Sequence, residues 1–453
     1  MNKKILKIVY VAVFFIACAL PGVMTFGNKN EHIGNEQKVD IQNISYSNFS
    51  SVLDTWFSSS FGLRSEFIEL NNRIRYNVFH QSGEDSVIVG NNGWLFYQSA
   101  LHDYIGLDVI SYAEAAKIAS ILQIASDGVK EQQSMLIFVS PPNKMEIYGE
   151  NMPYYCRESG EDGNYELIMA ALNDTDVRYV DLKKVLLEKK ETADMEIYHK
   201  TDSHWNNLGA SAAYDAIMEE AGITHTDYSQ IAVSVRDNFS GDLYGMLFPK
   251  GDQKDAQVYF DIEDKFYYTS NFRTYDDMLI TTENDTGAGS VLMYRDSFGN
   301  ALYSFFANDF KTAEFSRAMP YDLTDVSGKD VVVIELVERN LTNLLKYPPV
   351  VTAPVTHMFD SDVQTTVLPG EASVKIEEKG DNVLITFSSE DIPSDCTQMY
   401  VKITKDTDTV YRAYPSAEDG DGCFYISGEE LNGYESVSVI YETNGTYMEI
   451  YGR

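Results

Sequence analysis

Three patterns of apolar spacing follow one another along the chain. Residues 8–26 are apolar almost without interruption, broken by Pro21, Gly22 and Thr25, and Lys3, Lys4 and Lys7 stand before them. A continuous apolar run behind a cluster of cations is an export signal. This one lacks a small-x-small cleavage site and is nearly long enough to cross a bilayer, which predicts a signal anchor over residues 1–27 with the lysines held inside. Cleavage, or lipidation of Cys18 in the weak lipobox Phe15-Ile16-Ala17-Cys18, are the alternatives, and all three put the rest of the chain outside the cytoplasm. Residues 28–45 are polar and unpatterned and read as a tether.

The second pattern alternates helical and strand periods over residues 46–349. Phe49, Leu53, Trp56 and Phe57, then Phe67, Leu70 and Ile74, recur at helical spacing, and VIVGNNGWLFY over 87–97 reads as a hairpin about Asn91-Asn92-Gly93. Helices are predicted over 112–132, 165–172, 207–221 and 298–306, and strands over 135–139, 177–180, 291–294, 313–315 and 331–336. These strands are apolar without polar alternation, as strands buried on both faces are, so the core is expected to be an α/β three-layer sandwich with a parallel sheet. Beyond Pro348-Pro349 the period falls to two, as in Val383/Ile385/Phe387 and Val437/Val439/Tyr441, which predicts a separate antiparallel β-sandwich over 350–453. Its tyrosines and acidic residues are of the kind that bind sugar, although cross-strand packing accounts for most of them.

Charge narrows the partners. The 453 residues carry 35 Lys and Arg against 69 Asp and Glu, a net charge of −34, and such a surface repels phosphate backbones, which argues against nucleic acid. Four cysteines are too few for a disulfide framework. Cys396 and Cys423 either pair in an oxidising compartment or stay as free thiols, and Cys156 has no evident partner.

Two short segments bring chemistry. In Thr201-Asp202-Ser203-His204-Trp205 an Asp two residues before a His can hold one imidazole nitrogen and leave the other to accept a proton. In Arg295-Asp296-Ser297-Phe298-Gly299 a Ser follows a predicted parallel strand and opens a predicted helix, where backbone N–H groups can stabilise an oxyanion. Alone, each is equally an N-cap beside a surface side chain; together they supply a nucleophile, a base and an orienting group. A metal site from His199, Asp202 and His204 is the competing reading, without a His-Glu-x-x-His pattern or a cysteine pair to support it.

The hairpin VIVGNNGWLFY, the strand end SPPNK, TDSHW and RDSFG, in that order behind an anchor, resemble the SGNH-hydrolase-like alginate O-acetyltransferase group (AlgX/AlgJ-like) and its DHHW-type relatives. The resemblance covers roughly residues 46–345 and implies an SGNH-like catalytic domain in which Ser297 takes the acyl group, His204 is its base and Asp202 the orienter. It departs from the group at Ser203, where relatives have a second His, and at Arg295, where many have Gly. Lys144 and Arg339, at other strand ends, and Arg295 are candidates for oxyanion stabilisation or substrate binding, with surface solvation the alternative for the first two. By resemblance the activity is O-acyl, expected acetyl, transfer to an envelope or extracellular polysaccharide from a membrane-embedded donor protein, without a cofactor. An acetyl esterase would use the same residues with water as acceptor, and a non-catalytic glycan-binding scaffold is the alternative from another class.

Overall fold

The computed structural model describes residues 3–27, Ser50, 64–359, 363–379, 382–416, 421–443 and 445–452. The tether and the pattern at Phe49, Leu53, Trp56 and Phe57 lie outside these residues. The chain forms two compact units, one of Gly90–Leu243 with Gln253–Arg453 and the other of Met1–Val89 with Tyr244–Asp252.

The larger unit is built on a mixed sheet of β1 (Met135–Val139), β2 (Arg178–Val180), β3 (Tyr267–Tyr268), β4 (Leu279–Glu283), β5 (Ser290–Tyr294), β6 (Thr312–Ser316) and β7 (Val331–Glu335), in the order β2-β1-β7-β5-β6-β4-β3. The first five in that order run parallel, and β4 and β3 close one edge antiparallel. All of β7 is buried, which is why it reads as an unbroken apolar run. Helices α1 (Tyr112–Glu131), α2 (Asn164–Leu172), α3 (Leu182–Thr192), α4 (Asn207–Ala221) and α5 (Tyr303–Asp309) belong to the same unit. A capping box starts α1, Ser111 Oγ accepting from the Glu114 N–H and Glu114 returning a bond to the Ser111 N–H. Ile118, Leu122 and Ala125 of α1 then pack with Ile168 and Leu172 of α2 and with Phe138, Val332 and Ile334 of the sheet.

The predicted helix 298–306 divides into a single tight turn, Phe298–Asn300, and the separate α5. Phe298, Leu302 and Phe305 are all buried, so their spacing marked a packed face rather than one continuous helix. An antiparallel ribbon, Val233–Phe239 with Asp255–Phe260, was not anticipated, and neither was α3.

The C-terminal strands β8 (Thr365–Lys379), β9 (Asn382–Ser388), β10 (Met399–Thr404), β11 (Asp408–Pro415), β12 (Asp421–Ser427), β13 (Ser436–Thr443) and β14 (Thr446–Gly452) close into a barrel rather than an open sandwich. Closure comes from the parallel pair β8 and β14 and from the short β11–β12 contact at Tyr414 and Pro415. The barrel is not a detached module either. Tyr414 joins the core around α1, Arg412 pairs with Asp127 at 2.5 Å, and Lys117 Nζ donates to the Ser416 carbonyl at 3.0 Å. Tyr400, Tyr411, Tyr414 and Tyr441 are buried, which assigns these tyrosines to packing. Cys396 and Cys423 are free thiols.

In the smaller unit a helix covers Lys3–Gly27 and another covers Arg64–Ile74, whose Asn72 Nδ2 donates to the Leu247 carbonyl at 2.8 Å. Ile8, Phe15 and Val23 are exposed on the first helix. Among the described residues no helix is long and apolar enough to cross a membrane.

Candidate active site

His204 sits on a loop pinched at its base. Tyr198 and Trp205 form an isolated antiparallel bridge, and Asn206 then caps α4 by accepting from the Leu208 and Gly209 N–H groups. The helix start therefore fixes where the loop ends. Inside the loop the His204 N–H donates to Asp202 Oδ1 at 2.9 Å, and the imidazole Nδ1 meets the same oxygen at 2.7 Å. The far nitrogen, Nε2, lies 2.8 Å from Ser297 Oγ. The structure thus brings together three residues from two loops in a continuous chain of hydrogen bonds.

The electrostatics suit a proton relay. Asp202 is only 4% exposed, and burial alone would raise its pKa, yet the bonds from the His204 ring and from the Asp242 and His204 N–H groups hold it well below the usual carboxylate range. For His204 burial works downward, but the Asp202 hydrogen bond and charge outweigh it and raise the imidazole above its ordinary value. With Asp202 ionised and bonded to Nδ1, the neutral imidazole carries its proton there and leaves Nε2 to accept from the serine.

Asp242 is the residue that sequence reasoning missed. Its N–H donates to Asp202 Oδ2 at 2.8 Å, its Oδ1 accepts from the Ser203 N–H at 2.8 Å, and its Oδ2 accepts from Ser203 Oγ at 2.6 Å. Asp202, His204 and Asp242 are close enough to hold a cation among the described residues, but their mutual bonds already account for the arrangement. The competing metal reading placed His199 in the set; instead that ring lies flat on Phe239, 3.7 Å away, and burial lowers its pKa to about 4. Gly241, just before Asp242, lets the two loops touch, because a Cβ there would lie 2.2 Å from the Thr201 carbonyl oxygen.

The three cationic candidates do not behave as a set. Lys144 is buried, and its Nζ donates to the carbonyls of His199 (3.0 Å), Lys200 (3.1 Å) and Asp202 (2.5 Å) beneath the histidine loop, with the rings of Trp94 and Phe96 beside it. Burial pushes its pKa down to about 7. All three ammonium donors are taken, so Lys144 braces the loop rather than serving an oxyanion. Arg295 also turns inward, donating to Asn300 Oδ1 (2.5 Å) and to the Tyr275 carbonyl (2.7 Å), and burial lowers its pKa to about 10. It braces the serine turn and is not placed to bind substrate. Arg339 is the one of the three beside the site: its guanidinium lies 5.6 Å from the centre of the Phe298 ring, and its charge tends to lower the His204 pKa.

Ser297 itself follows β5 on a turn tied to the end of β7. The Asp296 N–H donates to Glu335 Oε2 at 2.9 Å, and the Asp296 carboxylate accepts from the Phe298 and Val337 N–H groups, both at 2.8 Å. Glu335 is fully buried, and burial with the nearby Asp296 charge raises its carboxyl well above its ordinary pKa. The one-turn helix at Phe298–Asn300 is too short for a helix dipole, which removes that part of the expected oxyanion site. With the Phe298 N–H taken by Asp296, the Ser297 and Gly299 N–H groups are the amides at the turn that have no acceptor among the described residues.

The Ser297 and His204 side chains open into a cleft of about 840 Å³ whose walls include Tyr228, Tyr259, Phe260, Tyr275 and Tyr303. That volume is near the top of the range of small-ligand sites, roughly 300–1,000 Å³.

Residues 87–255 match the family model described as "SGNH hydrolase-like domain, acetyltransferase AlgX", which bears out the resemblance to the alginate O-acetyltransferase group. The matched stretch includes His204 and Asp202 and ends before Ser297. The probable alginate O-acetylase AlgJ of Pseudomonas putida is 24% identical over 144 residues, 32% of this chain and 36% of that protein, so the chain spans about a third of its curated relative. Among solved structures, the O-acetyltransferase domain of P. putida AlgJ is 18% identical and aligns with a TM-score of 0.39, covering 57% of this chain and 92% of that one. Bacillus cereus PatB1 with a sulfonyl adduct is 19% identical with a TM-score of 0.44, covering 56% and 95%.

Proposed function

We propose that this chain is an O-acyltransferase that moves an acetyl group onto a hydroxyl of an envelope or extracellular polysaccharide through an acyl-Ser297 intermediate. The supporting observation is the chain of bonds from Asp202 through His204 to Ser297 at the edge of an aromatic cleft. Ser297 Oγ attacks the donor's acyl carbon while its proton passes to His204 Nε2, and the departing donor oxygen or sulfur takes that proton as its bond to the acyl carbon breaks. A sugar hydroxyl then gives its proton to Nε2 and attacks the acyl-serine, and the proton returns to Ser297 Oγ as the new ester leaves. Asp202 steadies the imidazolium formed in each half, and the Ser297 N–H is an amide available to the oxyanion.

The donor in this reading is a membrane-embedded acyl-donor protein, and the N-terminal segment holds the catalytic unit beside it on the outer side of the membrane. Lys3, Lys4 and Lys7 ahead of the apolar run 8–26 support that placement. A shared bilayer gives the donor a high effective concentration, which a free esterase would not need. The test is partitioning. A transferase loses its acetyl slowly to water and faster to a glycan, and removing residues 1–26 with export preserved lowers glycan acetylation in cells far more than turnover of a soluble ester. Rapid hydrolysis indifferent to glycan, with an envelope that gains acetyl groups when the protein is deleted, would identify an esterase instead.

A further inference from the structure

Building on the transferase reading, we propose that the acceptor is a neutral or amine-bearing glycan and not a polyuronate. Among the described residues the cleft that receives the acceptor is lined by Asp202, Asp242, Asp264 and Asp276 and by neither lysine nor arginine. Asp202 and Asp242 are engaged with His204 and Ser203. Asp276 accepts from Arg317 at 2.6 Å and from Asn300 at 3.1 Å, so the nearby guanidinium is already matched by a carboxylate. Asp264 is exposed and accepts a neutral amide donor, Asn308 Nδ2, at 3.1 Å. A sugar carboxylate entering here meets mostly negative side chains, the nearest unmatched cation being Arg339, which stands outside the lining beside Phe298 and bonds neutral Asn143, inside a protein whose net charge is −34.

The rest of the wall suits an uncharged ring. Tyr275 and Tyr303 line the cleft with ring centres 6.0 Å apart, and behind them, outside the lining, Tyr268 stacks on Phe272 and meets the Tyr303 hydroxyl at 2.8 Å. Tyr275 is 57% exposed and gives one edge of the cleft an apolar face. Aromatic faces take up the C–H surface of a sugar, while Asp264 and the tyrosine hydroxyls can accept from its hydroxyl or ammonium groups. The combination favours hydroxyl and amine donors and disfavours anions by repulsion.

The experiment acetylates the full chain with p-nitrophenyl acetate. Loss of the acyl-enzyme is then followed by intact mass in the presence of a cello-oligosaccharide, a chitosan oligosaccharide or an oligogalacturonate at equal concentration. The cello- and chitosan oligosaccharides are expected to discharge it roughly tenfold faster than the oligogalacturonate at low salt, with the gap narrowing as salt is raised. Asp264→Lys should narrow the same gap by favouring the uronate. An oligogalacturonate that discharges the enzyme as fast as the others overturns the inference while the transferase reading stands. If no glycan speeds discharge, or no acyl-Ser297 forms at all, the transferase reading falls and takes this inference with it.

Discussion

The loop that carries His204 and the turn that carries Ser297 meet across 2.8 Å but are held by different means. Distant segments hold the histidine loop: Lys144 lies beneath its carbonyls, Asp242 is bonded to Asp202 and Ser203, and Asp255 Oδ2 accepts the Thr201 N–H at 2.7 Å. The serine turn combines local bonds, Arg295 to Asn300 and the Phe298 N–H to Asp296, with bonds to the adjoining strand end at Glu335 and Val337 and to the Tyr275 carbonyl. A base must keep one ring orientation while its charge changes, which calls for rigid support from several sides. A nucleophile at a strand end inherits most of its position from the sheet. Damage to a remote brace should therefore show at His204 before it shows at Ser297.

In the proposed mechanism the largest effects come from the groups that exchange the proton. Ser297→Ala and His204→Ala should each lower kcat on a small acetyl ester by about 10⁴-fold or more, and the double variant by little beyond either. Unchanged near-UV circular dichroism would separate this from unfolding. Asp202→Asn should lose about 10³- to 10⁴-fold and also move the acid limb of the kcat/KM profile. The sign follows from the environment: Asp202 raises the His204 pKa, so activity in the native protein rises with pH through a value above the ordinary imidazole value, and the variant's limb should lie at lower pH. An unmoved limb would assign that titration to another group.

Lys144→Met comes next. It leaves the buried His199 and Asp202 carbonyls without their donor, the Lys200 carbonyl keeping the Leu95 N–H, at a cost of roughly 2 kcal/mol or more in stability, read as a lower Tm. It should also lower kcat more than it changes KM, because the loop it supports carries the base. The smallest effects distinguish the two loops directly. At Gly241 a Cβ meets the Thr201 carbonyl oxygen at 2.2 Å, and at Gly299 it meets the Cβ of buried Arg295 at 2.6 Å. Gly241→Ala and Gly299→Ala should therefore each cost about 1–3 kcal/mol by chemical denaturation, with the larger cost at Gly241, where the approach is closer. Equal costs would remove the contrast between the two loops.

Much of the scaffold was legible because buried parallel strands advertise themselves. Val331, Val332 and Val333 have no polar alternation, and the helix over Asn207–Ala221 begins at its Asn206 cap. TDSHW and RDSFG located His204, Asp202 and Ser297 because short-range spacing fixes which side chains a loop can present. The braces were not legible, since Asp242 reaches Asp202 from 40 residues away and Lys144 reaches the Asp202 carbonyl from 58, and no periodicity records such pairs. Arg295 and Lys144 looked like site cations because sequence does not show whether a charged side chain at a strand end turns in or out. Barrel and sandwich share a period of two, and the choice rested on pairings such as Tyr414 with Cys423 that alternation does not encode.

The central claim is that Ser297, activated by His204, carries the acyl group. The most direct measurement is a rapid-quench reaction of the full chain with p-nitrophenyl acetate, followed by peptide mapping of the acetyl adduct. One acetyl per chain on the peptide containing Ser297, absent from Ser297→Ala and formed far more slowly in His204→Ala, is the predicted result. An adduct on any other residue, or undiminished turnover by Ser297→Ala, would contradict it.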